Sequence, residues 1–226
     1  MEQFKIIVLD DDPTGIQTVH GVCVYTNWSE ESIRAGFEEE NPMFFILTNS
    51  RGFTAEETRS VHQLIGRRIV KISKEQKVPF VLISRGDSTL RGHYPLETET
   101  LRETLEAEGI TVDGEILCPF FPEGGRYTVG DVHYVAEGTR LIPAGETEFA
   151  KDRTFGYKSS DLKEWIEEKS GGRWKKDEVL SVSVAELRGK TLKGTEEKLL
   201  SLTGFQKLIV NAVEYRDVER FAEVCK

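Results

Sequence analysis

Short apolar runs alternating with amphipathic stretches organise most of the chain. Residues 4–10 (FKIIVLD) form a β-branched run of the kind that makes a buried strand, and residues 22–26 form a shorter second one. Ser29 offers a side-chain cap to an acidic helix reaching about residue 40, and Glu30 and Glu31 suit its positive end. Residues 43–48 (MFFILT) read as a third strand. Thr54, with Glu57 three residues on, makes a capping box for a helix running to about residue 77. A fourth strand falls at residues 78–84 (VPFVLIS), a helix at 95–108 and a fifth strand at 115–121.

The pattern changes between about residues 121 and 155. Gly124, Gly125, Gly130, Gly138 and Gly145, with Pro122 and Pro143, punctuate short segments such as 127–134 and 139–143, which read as a β-rich flap or excursion. Alternation then resumes: a helix at 161–169 stopped by Gly171-Gly172, strands at 179–184 and 207–212, a helix at 195–202 and a last one from about Asp217. This order predicts an α/β fold: a mainly parallel sheet with helices on both faces, in three layers, plus the β-rich excursion. The expected organisation is one domain over residues 1–226, and the last amphipathic pattern reaches Lys226 without a C-cap, as a fragment would.

Composition narrows the function classes. Thirty-nine acidic against 30 basic side chains give a net charge of -9, which argues against a nucleic-acid binder. No apolar stretch approaches the roughly 18–20 residues needed to cross a bilayer, and the N-terminus lacks the features of a signal peptide. Cys23, Cys118 and Cys225 are scattered and show no CxxC spacing, so they read as reduced thiols of a cytoplasmic protein without a metal site of its own.

Ligands of parallel α/β sheets bind outside the carboxyl ends of the strands, so the residues after each strand carry the functional reading. After the first come Asp10-Asp11-Asp12-Pro13-Thr14-Gly15. Three consecutive carboxylates repel, and sequestering them requires a cation or donors. After the third come Asn49-Ser50-Arg51-Gly52, and after the fourth Arg85-Gly86-Asp87-Ser88-Thr89-Leu90-Arg91-Gly92. Arginine forks suit a carboxylate or phosphate, hydroxyls add donors, and glycines permit close backbone approach. Two decoys sit beside these. Gly189-Lys190-Thr191 resembles the end of a P-loop, but Val184 stands where the first glycine should be. Asp10-x-Asp12-x-Thr14 with Leu47-Thr48-Asn49 resembles the first half of a haloacid dehalogenase-type phosphatase, whose later acidic pair is missing.

Taken together, Asp11-Asp12-Pro13-Thr14-Gly15 (DDxTG) and the DSTLRG segment, residues 87–92, resemble the N-terminal, substrate-binding domain of the four-carbon acid sugar kinase family. Weaker echoes continue at 119–127 (PFFPEGGRY), at 147–152 (TEFAKD) and at Asn211, where the family usually has Asp. The resemblance implies an ATP-dependent kinase for a hydroxyl of a tetronate-like sugar acid. It implies that ATP and Mg²⁺ are handled mainly by a C-terminal nucleotide-binding domain or subunit absent from this chain, which alone would be inactive. A homo-oligomer is compatible with it. Asp11, Asp12 and Asp87 are the catalytic candidates. Thr14, Gly15, Ser50, Arg51, Arg85, Ser88, Thr89, Arg91, Gly92 and Arg126 are the substrate-binding ones. The alternatives are a dehalogenase-like phosphatase and a sugar-acid-binding module without chemistry.

Overall fold

In the computed structural model, which describes residues 4–225, strands β1 (Lys5–Asp10), β2 (Cys23–Tyr25), β3 (Met43–Leu47) and β4 (Phe80–Arg85) run parallel in the order β2-β3-β1-β4. The pleat sends alternate residues to one face: Ile7 lies opposite Phe44 and Leu82, and Leu9 opposite Ile46. These pack with Ile33 and Phe37 of α1 (Glu30–Glu38), Ile65, Ile69 and Ile72 of α2 (Ala55–Gln76), and Leu101 of α3 (Leu96–Ala107). The helix starts follow the local chemistry. The Ser29 side chain accepts from Ser32 N–H, and Thr54 and Glu57 form the reciprocal capping box.

A second parallel sheet, ordered β5-β10-β9, is built from β5 (Gly114–Leu117), β9 (Leu180–Val182) and β10 (Gln206–Val210). Val182, Leu208 and Val210 pack there with Leu187, Leu202 and Phe221, below α5 (Val184–Leu187) and α7 (Tyr215–Val224). Helices α4 (Leu162–Lys169) and α6 (Lys193–Leu200) complete the seven among the described residues. Strands β6 (Arg126–Val129), β7 (Val132–Glu137) and β8 (Arg140–Pro143) form an antiparallel sheet inside the expected excursion. The class is thus α/β, with parallel sheets flanked by helices and an antiparallel addition.

The described residues form two compact units, one taking the chain to Asp87 with Gly92–Thr111, the other Ser88–Arg91 with Val112 onward. The parallel strands accordingly fall in two sheets rather than one. Residues 127–134 span the β6–β7 hairpin, whose two-residue turn has Gly130 and Asp131 at φ of 60° and 64°. Helix α5 follows a Ser183/Glu186 capping box inside a stretch that reads as the end of a strand.

Gly36 of α1 faces the Phe44 ring, which Tyr25 and Phe37 meet edge-on at centroid distances of 5.8 and 5.9 Å. A Cβ at Gly36 would lie 2.5 Å from that ring. Alanine would gain ~1 kcal/mol of helix propensity but overpack by about 1–3 kcal/mol. Gly36→Ala is therefore expected to lower the urea midpoint of unfolding, and a raised midpoint would show that the ring can yield.

Candidate functional site

Three loops meet at the carboxyl ends of β1, β3 and β4 because the backbone ties them together. Thr48 donates both its N–H (2.8 Å) and its hydroxyl (2.9 Å) to the Asp10 carbonyl, Asp11 N–H donates to the Arg85 carbonyl (3.2 Å), and Arg51 N–H to the Asp11 carbonyl (3.3 Å). Asn49, with φ of 56°, makes the left-handed turn that brings Arg51 back over β1. Asparagine is one of the few residues that takes this conformation at low cost.

Asp11 is 3% exposed and receives a two-point bond from Arg51, Nε to Oδ2 at 2.9 Å and Nη2 to Oδ1 at 2.6 Å. Arg51 Nη1 stands 3.2 Å from Asp12 Oδ2. Of the five N–H groups of this guanidinium, three are thus directed at aspartates. Asp12 is more open and caps the turn at Pro13–Ile16, accepting from Thr14 N–H at 2.8 Å and from the Thr14 hydroxyl at 2.5 Å. Asp10, 1% exposed, meets Arg85 Nη1 at 3.3 Å, and its Oδ2 is buried without a hydrogen-bond partner. Gly15 lies directly against this pair: a Cβ there would fall 2.0 Å from Asp10 Oδ2 and 2.3 Å from Arg85 Nη1. Glycine is needed at 15 to pack on the protein's own carboxylate.

The three carboxyls titrate differently. Burial pushes Asp11 up to about 6, with Arg51 opposing it and Glu97 adding to it. Burial also raises Asp10, against Arg85. The Thr14 hydroxyl holds Asp12 below the usual carboxylate range. Below the cluster Ser50, fully buried, donates to Glu97 at 2.5 Å, and His62 Nε2 lies 3.8 Å from the same carboxylate. Ser50 is therefore spent on the interior. Glu97 gave no signal in the sequence beyond one more acid on an acidic helix.

The DSTLRG segment divides: Asp87 and Gly92 belong to the first unit, Ser88–Arg91 to the second. Gly92 takes φ of 143°, and a Cβ there would lie 3.5 Å from Asp11 Oδ2. Asp87 contributes to the negative surroundings of Arg51. In the second unit Thr89 is 1% exposed, and Arg91 donates from Nε to its hydroxyl at 3.1 Å. Arg91 and Arg126 both lie over the Phe149 ring, at 5.1 and 5.6 Å, and Arg91 is 4.0 Å from Asp152. Phe149 and Asp152 belong to the TEFAKD echo, whose link to Arg91 only the fold reveals. Asn211 is occupied structurally, bonding Asp131 on both amide atoms and the Val182 carbonyl.

The decoys are resolved by position. Gly189-Lys190-Thr191 lies between α5 and α6, whereas a P-loop follows a strand. A dehalogenase-type nucleophile must be open to substrate, and Asp10 is covered by Arg85 and Gly15. No group of three or more His, Cys, Asp or Glu side chains is placed to hold a metal ion among the described residues. The aspartates are matched by arginines and a hydroxyl, so this donor set does not fit a resident Mg²⁺. No helix there is long and apolar enough to cross a membrane.

A parallel sheet whose central strand ends in arginine-matched carboxylates, with donors on the neighbouring loops, is the layout of a small-molecule-binding α/β domain. The chain belongs to the family described as the sugar-binding N-terminal domain, which it matches over residues 6–226, within the four-carbon acid sugar kinases that its motifs resemble. Solved structures share its fold. A DUF1537 protein from Bordetella bronchiseptica, a domain-swapped dimer with bound citrate, is 20% identical with a TM-score of 0.67, over 96% of this chain and 49% of that one. A DUF1537 protein from Haemophilus influenzae is 18% identical with a TM-score of 0.69, over 96% of this chain and 50% of that one. A Salmonella typhimurium LT2 protein provisionally named a tRNA synthase is 18% identical with a TM-score of 0.67, over 99% and 51%. The chain spans about half the length of these neighbours. It is also 27% identical over 183 residues to the mouse GTP-binding protein Rit1, covering 79% of this chain and 74% of that one.

Asp11 is easier to protonate folded, at about 6, than at its ordinary value of 3.8. Its ionisation therefore opposes folding: the penalty is absent below about pH 4 and grows to about 3 kcal/mol above pH 6. Urea unfolding of wild type and Asp11→Asn should diverge between pH 4 and 7, the wild type losing stability relative to the variant. Parallel curves would mean that Arg51 fully offsets the burial.

Proposed function

We propose that this chain is the substrate-binding part of an ATP-dependent kinase that phosphorylates a hydroxyl of a four-carbon, tetronate-like sugar acid. The observation that carries the reading is the Asp10–Arg85 and Asp11–Arg51–Asp12 cluster at the carboxyl ends of β1 and β4 in a sugar-binding family. The citrate of the Bordetella bronchiseptica neighbour supports it, since citrate is a small hydroxy acid. ATP and Mg²⁺ are assigned to a C-terminal nucleotide-binding domain or subunit, and the arginine-matched aspartates and the incomplete P-loop of this chain support that assignment.

Phosphoryl transfer asks mostly for positioning and charge compensation. Asp12, the most open of the three and ionised at neutral pH, is the acid assigned to the acceptor hydroxyl. Asp11 fixes Arg51, whose two remaining N–H groups can grip the ligand, and Asp87 supports that charge. Thr14, Arg85 and Gly92 in the first unit and, taken by themselves, Ser88, Thr89, Arg91 and Arg126 in the second are the further contacts proposed for the sugar acid.

The test uses this chain combined with its nucleotide-binding partner. Asp12→Asn should lower kcat by about 10²–10⁴-fold while leaving the affinity for the sugar acid within a few-fold. In wild type kcat/KM should fall as pH drops through about 6, where Asp11 takes its proton and loosens Arg51. Sugar-acid binding without turnover under any partner would hand the chain to the non-catalytic binding module.

A further inference from the structure

Leu90, inside the DSTLRG segment, has φ of 67°. A leucine there is strained, and such strain persists only where the surroundings over-determine the backbone. Leu90 is 8% exposed, and the two carbonyls just before it are each held by a buried side chain of the second unit. His133, on β7 and fully buried, lies with Nε2 2.9 Å from the Ser88 carbonyl. A carbonyl only accepts, so Nε2 carries the proton. The Thr128 hydroxyl donates to the Pro119 carbonyl at 2.7 Å and lies 2.9 Å from Nδ1. Tyr157, 5% exposed, donates its hydroxyl to the Thr89 carbonyl at 2.7 Å, and its own N–H donates to Ala150 at 3.0 Å.

We propose that His133 and Tyr157 are positioning residues, and that the β-rich excursion with the segment after it serves to hold Ser88–Arg91 in its binding shape. The clamp fixes the Thr89 hydroxyl, and Thr89 in turn receives Arg91 Nε at 3.1 Å. Asp152 and the Phe149 ring, from the same stretch of chain, meet the guanidinium from further sides. The ligand class is the small sugar acid of the proposed function, on which the binding half of this inference rests. The pinning half does not depend on it.

Two readouts separate the halves. Amide hydrogen exchange is followed by mass spectrometry on peptides covering residues 88–92 and on core peptides from β1, β3 and β10. Calorimetry measures the affinity for threonate and erythronate. Tyr157→Phe, which removes one oxygen, and His133→Ala should each speed exchange at 88–92 about tenfold with the core peptides unchanged. Each should weaken sugar-acid binding by roughly five- to tenfold. His133→Gln, which keeps a donor for the Ser88 carbonyl, should recover most of both effects. Unchanged exchange at 88–92 in Tyr157→Phe and His133→Ala overturns the inference, whatever the affinity. Faster exchange with unchanged affinity upholds the pinning and removes the segment from the ligand site, which counts against the proposed function alone.

Discussion

Asp11 is held at the end of the central strand, out of water, by two hydrogen bonds from one guanidinium. A carboxylate so buried needs this match, because the cost of leaving it unpaired exceeds anything one loop contact returns. The match in turn dictates where Arg51 must be. Its loop reaches that position through the left-handed Asn49, the Thr48 bonds to Asp10 and its own N–H bond to Asp11. Ser50, drawn inward by the same turn, is tied to Glu97 of α3. One ion pair therefore links β1, the loop after β3 and, through Ser50, the start of α3.

The arrangement bears on function through what it leaves available. Arg85 and Arg51 are each set against an aspartate, so a ligand meets oriented donors rather than bare positive charge. Such donors offer selective hydrogen bonds to a small ligand of the kind a sugar-binding domain holds, in a chain of net charge -9 that would repel a polyanion. Asp12 differs from its neighbours in being held ionised by the Thr14 hydroxyl while still reachable. Three consecutive residues of one type thus acquire three environments. The second unit fixes Ser88–Arg91 by side chains that reach backbone carbonyls, a separate device from the ion pairs of the first.

Much of this was legible in the sequence where the signal is local. The runs at residues 4–10 and 43–48 contain β1 and β3, the run at 78–84 overlaps β4 and stops one residue short of its end, and Thr54 with Glu57 forms the capping box that starts α2. Ser29 caps α1 as its position suggests. The strand after α3 ends at Leu117, earlier than its apolar pattern, as the chain turns into Pro119. The DDxTG and DSTLRG segments pointed to the right family because their order along the chain is distinctive. What was not legible is pairing at a distance. Arg51 and Asp11 are 40 residues apart, Arg85 and Asp10 are 75 apart, and Tyr157 and Thr89 are 68 apart. Nothing local assigns one arginine to an aspartate and another to a ligand. Gly15 reads as a glycine for close ligand approach, and the fold uses it to make room for Asp10. The division into two parallel sheets is hidden for the same reason, since both halves show the same alternation.

The most direct test of the central interaction is a ¹³C NMR titration of the Asp11 carboxyl in the intact chain, repeated in Arg51→Met. The account predicts a midpoint of about 6 in the wild type, and a higher one once the guanidinium is gone. A wild-type midpoint near 3.8 that does not move in Arg51→Met would contradict it, because Asp11 would then be neither desolvated nor held by Arg51.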